Sequence, residues 1–385
     1  MRKVAIGQAG GPTAVMNASL VGFLENTEAE IYCVPYGYEG VVNGSFISLA
    51  EYKSKNLFEY KNIPGACLGS GRFRLSDDDF VQAVNNLKKK DIQTIVFIGG
   101  NGTMWAQNRL SEVAKNMGYN LQVIGIPKTV DNDLAGTDHA PGYGSAARYV
   151  SLATRDISKD LEAMKNFEQV RVIETMGRNV GWLAAASGLF KEHEVDGPHK
   201  IYLPEQSLTS EKVLADAKET VKEYGFATLV VSEGVSLDNK SKIEKAVVGG
   251  RSVLGGISQE VAELIRTEAG LMARDEVLGM NQRSSQVYTS KQDRIEAYEV
   301  GKKAAEIVEL GISNIMVAIT RTKTVDYEYS LTMIPLKKVS DGGERSIPID
   351  FIEQQDSFYE WLRPLVGSNH EHYPPSFTHQ KVGLK

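Results

Sequence analysis

Short apolar runs recur along the chain, and most stop at glycine, proline or a charged residue. Ile92 to Ile98 is nearly all apolar, as a strand buried on both faces of a parallel sheet must be. Lys3 to Gly7, Ile31 to Tyr36, Leu121 to Ile126, Val170 to Glu174, Lys200 to Leu203, Ala227 to Ser232 and Asn314 to Thr320 read as further strands. Between them apolar positions recur at helical spacing, over Thr13 to Leu24, Asp79 to Lys90, Gly142 to Lys165, Gly181 to Gly188, Ser258 to Glu268 and Asp293 to Glu309. Gly37 to Gly44 reads as a glycine-rich loop, and Arg274 to Arg283 as strand or loop. Strands alternating with helices predict an α/β fold. The simplest accommodation is two Rossmann-like three-layer lobes with mainly parallel sheets facing a shared cleft. The end of the chain, Gly367 to Lys385, is polar and expected to be partly disordered.

Composition narrows the function. The 385 residues carry a net charge of −6, which excludes a broad basic face for nucleic acid. Two cysteines, Cys33 and Cys67, supply neither a disulfide framework nor a metal set. No stretch approaches the roughly 20 apolar residues of a membrane span. A soluble, cytoplasmic protein with no membrane partner is expected. The six histidines show no metal-ligand spacing, and His193, His199 and the tail histidines read as surface residues. Trp105, Trp182 and Trp361 read as packing residues.

The chemistry collects where strands end. Pro127 stops a strand, and Lys128, Thr129, Asp131, Asn132 and Asp133 follow within six residues. One carboxylate can take a proton while the other holds a metal, and the lysine can neutralise phosphate. Alone, this reads rather as a polar turn with a helix cap. Gly10-Gly11-Pro12 and Gly99 to Thr103 each stand between a strand and a helix, an arrangement that cradles phosphate or merely turns the chain. Arg72 lies in the glycine-rich loop Gly65 to Leu75, either as a phosphate fork or an ordinary surface arginine. Met176 to Arg178 and Glu233-Gly234 end two more strands. Five such clusters together point to one site for a phosphorylated substrate and a phosphoryl donor.

GGPTAVMNASL, GSGRFRL, GGNGT, PKTVDND, MGRNVGW, SEG and LGMNQR occur in the order and spacing of the phosphofructokinase family, which the chain resembles over roughly residues 1 to 320. The resemblance implies magnesium-dependent phosphoryl transfer to O1 of fructose 6-phosphate in glycolysis, with ATP or pyrophosphate as donor. It implies Asp131 as general base, with Arg72, Thr129 and Lys128 beside it in catalysis. Gly11, Gly100, Asn101, Gly102, Thr103, Arg72 and Phe73 would bind the donor, and Asn101 and Asp133 the magnesium. Thr129, Asp131, Met176, Gly177, Arg178 and Glu233 would hold the sugar, and Arg274 and Arg283 its 6-phosphate. One of those arginines comes from a neighbouring subunit in the family, so a homo-oligomer, dimer or tetramer, is implied. The lobes would be 1–138 with about 252–305 for the donor, 139–251 with about 306–330 for the sugar phosphate, and 331–385 as an extension.

Some positions depart from the family pattern. Met280 stands where histidine or tyrosine is frequent. Ser284-Ser285 follows Gln282-Arg283 as in the pyrophosphate-using branch. Pyrophosphate enzymes carry an aspartate where this chain has Gly102, which favours ATP here; pyrophosphate is the alternative donor. A kinase for another sugar phosphate and a non-catalytic sugar-phosphate sensor are the remaining alternatives.

Overall fold

The structure, a computed structural model, describes residues 2–51, 55–248 and 251–377. Among these, thirteen strands occur in chain order: β1 (Lys3–Gln8), β2 (Glu30–Val34), β3 (Ile47–Ser48), β4 (Thr94–Gly99), β5 (Gln122–Pro127), β6 (Val170–Thr175), β7 (Lys200–Tyr202), β8 (Ala227–Ser232), β9 (Glu244–Val248), β10 (Arg251–Leu254), β11 (Ala273–Val277), β12 (Ile315–Lys323) and β13 (Glu328–Pro335). The fold is α/β with mainly parallel sheets. The chain forms two compact units, Met1–Ala146 with Arg283–Arg345 and Ala147–Gln282 with Ser346–Lys385. No helix among the described residues is long and apolar enough to cross a membrane.

The first unit carries one sheet, ordered β13-β12-β5-β4-β1-β2-β3. Side chains alternate between its faces as a period of two requires. Val4, Ile6, Val96, Ile98, Ile124 and Ile126 fill one core, while Ala5, Ile95, Phe97 and Val123 fill the other. The parallel register pairs Gln8 with Ile98 and Gly99 with Pro127. The carboxyl ends of β1, β4 and β5 are therefore level, and the residues after them fall together.

The second unit carries the parallel sheet β11-β6-β8-β7 and the separate hairpin β9-β10. Glu174 pairs with Val277, and Thr175 with Ser232, so these strand ends are level too.

The chain divides at points other than those expected. Residues 252–282 cluster with the second unit because β11 pairs with β6. Residues 306–345 cluster with the first because β12 pairs with β5 and β13 returns antiparallel along β12. The expected extension from 331 is thus split between the two units. Gly37 to Gly44 is not all loop: Tyr38–Val42 is a short helix, fixed where Tyr38 stacks on Phe97 at 4.3 Å between ring centroids. Trp182 and Trp361 do pack together, 5.4 Å between centroids, and Trp105, though 50% exposed, meets buried Phe80 edge-on at 6.0 Å. Residues 367–377 are ordered against the long helix Tyr143–Met164, whose Arg148 donates to the carbonyls of Val366 and Asn369 and whose Arg155 donates to that of Glu371. The rest of the polar tail, 378–385, lies outside the described residues.

Candidate active site

In the first unit three strand ends and one loop converge. After β1 the chain turns at Gly10, whose φ of +83° favours glycine. The Gly10 N–H donates to Gly71 and Ser70 Oγ donates to the Gly10 carbonyl, which pins the loop carrying Arg72 onto this turn. Gly11 leaves room for two arginine tips. A Cβ there would lie 2.4 Å from Arg283 Nη1 and 3.5 Å from Arg72 Nη2. Lys128, buried at the end of β5, donates to the Gly11 carbonyl at 2.8 Å. Three cations, Arg72, Lys128 and Arg283, thus surround one glycine turn. Burial lowers the Lys128 pKa to about 8; Asp131 and Asp133 oppose the fall, and Arg72 and Arg283 add to it. A lysine held so far below its usual value is poised to gain from an arriving anion.

The glycine turn after β4 lies beside this group. The Lys128 N–H donates to the Gly99 carbonyl, and a Cβ on Gly100 would come within 3.3 Å of the Lys128 carbonyl. Helix Asn101–Asn116 begins there with no side-chain cap, so its N-terminal donors and dipole favour an anion. Buried Thr103 folds back over Gly99. A Cβ on Gly102 would meet nothing within 4 Å. Phe73 is exposed on the arginine loop.

The two carboxylates of the β5 end differ. Asp133 accepts from Thr129 Oγ1 at 3.1 Å and from Asn101 Nδ2 at 2.9 Å. Burial and then the Glu344 carboxylate raise its pKa. Thr129 Oγ1 also accepts from the Asp131 N–H, so one hydroxyl spaces both acids. Asn132 makes the bend at φ +55° and accepts from the Ala140 N–H. A magnesium ion keeps most of its water and takes one or two carboxylates. Asp133, crowded by a second carboxylate and joined to an amide, fits that requirement with oxygen donors alone. Glu344 was not foreseen. It follows β13, about 210 residues on, and only the pairing of Leu134 with Glu344 and the Arg345 N–H bond to the Asp133 carbonyl bring it here; a single sequence holds no sign of that.

In the second unit the ends of β6 and β8 meet. Gly177, at φ +136°, has its carbonyl bound by Ser232 Oγ and by the Gly234 N–H. A Cβ on Gly234 would lie 1.9 Å from the Arg178 carbonyl, so Met176, Gly177 and Arg178 are held tightly against Glu233-Gly234. Gln282 Oε1 accepts from the Met176 N–H. Arg274, on edge strand β11, pairs with Glu168 at 3.2 Å and is 66% exposed. Glu168 is itself forked by Arg171. Arg274 and Arg283, expected as a pair, therefore have different surroundings: Arg283 belongs with Gly11 and Arg72, Arg274 with Glu168.

The profile of the phosphofructokinase family matches residues 3–308. The chain belongs to the phosphofructokinase family. Within it, the chain is 46% identical over 382 residues to a protein of Alkalicoccus urumqiensis named sulfofructose kinase, covering 99% of this chain and 98% of that one. It is 31% identical to the pyrophosphate–fructose 6-phosphate 1-phosphotransferase of Methylococcus capsulatus, over 97% of this chain and 93% of the relative. The solved pyrophosphate-dependent phosphofructokinase of Nitrosospira multiformis superimposes with a TM-score of 0.86 at 31% identity, over 97% of this chain and 94% of that one. The protein is thus a phosphotransferase of this family with a two-lobe α/β architecture.

Proposed function

We propose that this protein moves a phosphoryl group from ATP to the 1-hydroxyl of a fructose bearing an anion at C6, and that a sulfo group serves as that anion better than phosphate. The observation that carries this reading is the 46% identity, end to end, with a protein named sulfofructose kinase, against 31% with the fructose 6-phosphate enzyme above. The second unit agrees with it. Arg274 already shares its charge with Glu168. A sulfonate carries one negative charge where phosphate carries nearly two, so it needs less cationic surroundings. Met280, 58% exposed, brings no strong donor for a third phosphate oxygen.

In the proposed reaction the 1-oxygen attacks the terminal phosphorus of the donor while Asp131 takes its proton. The bond to the bridging oxygen breaks, and its electron pair leaves with ADP. Lys128, Arg72 and Arg283 meet the charge that develops on the transferred group. Asp133 and Asn101 would hold the magnesium, which when bound neutralises donor phosphate. The open space at Gly102 supports ATP, because nothing there obstructs an α-phosphate. Pyrophosphate is the second reading, supported by the names of the relatives. The exposed edge strand β11 supports a homo-oligomer, to be sized by light scattering.

The deciding experiment compares initial rates for ATP and pyrophosphate, each with sulfofructose and with fructose 6-phosphate, in magnesium. The highest kcat/KM is expected for ATP with sulfofructose. Preference for fructose 6-phosphate overturns the acceptor, and preference for pyrophosphate overturns the donor.

A further inference from the structure

Away from these strand ends, the second unit gathers three histidines and a glutamate. Glu192, His193 and His372 each bring one ligand atom within 4.8 Å of the other two. His372 Nδ1 contacts one oxygen of Glu192, and His370 Nε2 lies 3.7 Å from the other. The rings of His193 and His372 stand 5.9 Å apart. His193 Nε2 is buried and has no hydrogen-bond partner among the described residues. Leaving a ring nitrogen in that state costs free energy that a ligand would recover.

Both sides of the group are braced before any ligand arrives. Asp196 accepts from the backbone N–H groups of Glu192 and His193 and pairs with Lys159 at 3.2 Å, which shapes the turn. On the other side Arg148 and Arg155 hold the carbonyls of Asn369 and Glu371, Arg155 lies 3.9 Å over the Tyr373 ring, and Tyr373 donates to Asp156. His370 and His372 are therefore presented by an ordered strap.

We propose that Glu192, His193 and His372, with His370 beside Glu192, form a binding site for a divalent transition cation of the zinc type, which ties the strap 367–377 to the turn 192–196. Imidazole with one carboxylate is a donor set for zinc rather than for magnesium. Zinc–nitrogen bonds of about 2.0–2.1 Å put tetrahedral ligand atoms roughly 3.3 Å apart, so Glu192, His193 and His372, already within 4.8 Å of one another, need only small rotations to close on the ion. Histidine spacing within either segment gave no hint of this, because the site is assembled from two segments that only the fold brings together.

The test uses full-length protein stripped with a chelator and titrated with zinc in excess magnesium. One zinc per chain is expected, with slower amide exchange across 367–377 on binding. His372→Ala and His193→Gln should each weaken zinc by more than about 100-fold, since loss of a supporting neighbour alone costs 10–100-fold. Turnover in magnesium should be unchanged in His372→Ala. Because His372 is largely exposed, that variant should fold even if His193→Gln does not. No zinc binding, affinity in His372→Ala equal to the parent, or binding that leaves strap exchange unaltered would each overturn the proposal.

Discussion

Lys128 Nζ donates to the carbonyl of Gly11, so the end of β5 places a buried cation directly under the turn that follows β1. Burial, only partly opposed by Asp131 and Asp133, lowers its pKa to about 8. Its charged form is the one that attracts phosphate. The kcat/KM for the donor, which reports the free enzyme, should therefore fall about tenfold per pH unit above that value. Lys128→Met should lose this alkaline limb together with much of its donor affinity. A parent profile flat to pH 10 would remove Lys128 from donor binding.

Gly11→Ala tests the arginine pair. Gly11 has no positive φ, so alanine suits the backbone, but its methyl group would occupy the place of Arg283 Nη1. A displaced charged hydrogen bond is worth about 1.5–3 kcal/mol. The expected result is a 10- to 100-fold loss of kcat/KM with a thermal midpoint within a few degrees of the parent. Full activity would show that Arg283 does not act beside Gly11.

How much of this could be read beforehand follows from what pairs with what. Gly10, Gly99, Lys128 and Asp133 were legible because each follows a self-evident strand, and parallel pairing brings those strand ends level. The roles of Arg274 and Arg283 were less legible. They are nine residues apart in the sequence, but β11 carries one into the sheet beside Arg171, while the other belongs to the first unit. Strand β13 leaves little apolar signal in the sequence, because its burial is irregular and most of it is exposed, as befits an edge. Helix Ser210–Tyr224 has an explicit start in Thr209, whose hydroxyl accepts from the Lys212 N–H.

The first unit should also show a characteristic alkaline loss of stability. His139 lies buried between Asp138 at 2.8 Å and Glu296 at 2.7 Å. Burial opposes its charge, but Glu296 and then Asp138 overcome that and raise its pKa to about 9. A histidine raised on folding contributes stability that is fully present below about pH 6.5 and is lost as pH rises through about 9. With a shift this size the contribution is about 3 kcal/mol. His139→Gln should therefore be destabilised at pH 6 and differ much less from the parent at pH 10 in urea melts. A pH-independent difference would contradict the charged form.

Asp131→Asn should fold normally, since Asp131 sits on a turn fixed by its own N–H bond to Thr129 Oγ1, a bond the amide retains. An amide cannot take the proton of the 1-hydroxyl. Turnover should fall about 10²–10⁴-fold with sugar affinity preserved. Turnover within a few-fold of the parent would mean that another group is the base.

Gly102→Asp addresses the donor. The new Cβ enters open space, so no steric penalty in the fold is expected. An acid in the first turn of helix Asn101–Asn116 is stabilising by about 0.3–1 kcal/mol. Any change in activity can then be assigned to the donor. The aspartate would face the α-phosphate of ATP with like charge, at a cost of about 1–4 kcal/mol for charges near 4 Å apart. Pyrophosphate has no such group and should be spared. The ratio of ATP to pyrophosphate kcat/KM should drop at least tenfold, with the thermal midpoint equal to or above that of the parent. An unchanged ratio would mean that the donor is chosen elsewhere than at Gly102. A parent that already prefers pyrophosphate would mean that open space beside the helix N-terminus does not by itself select the larger donor.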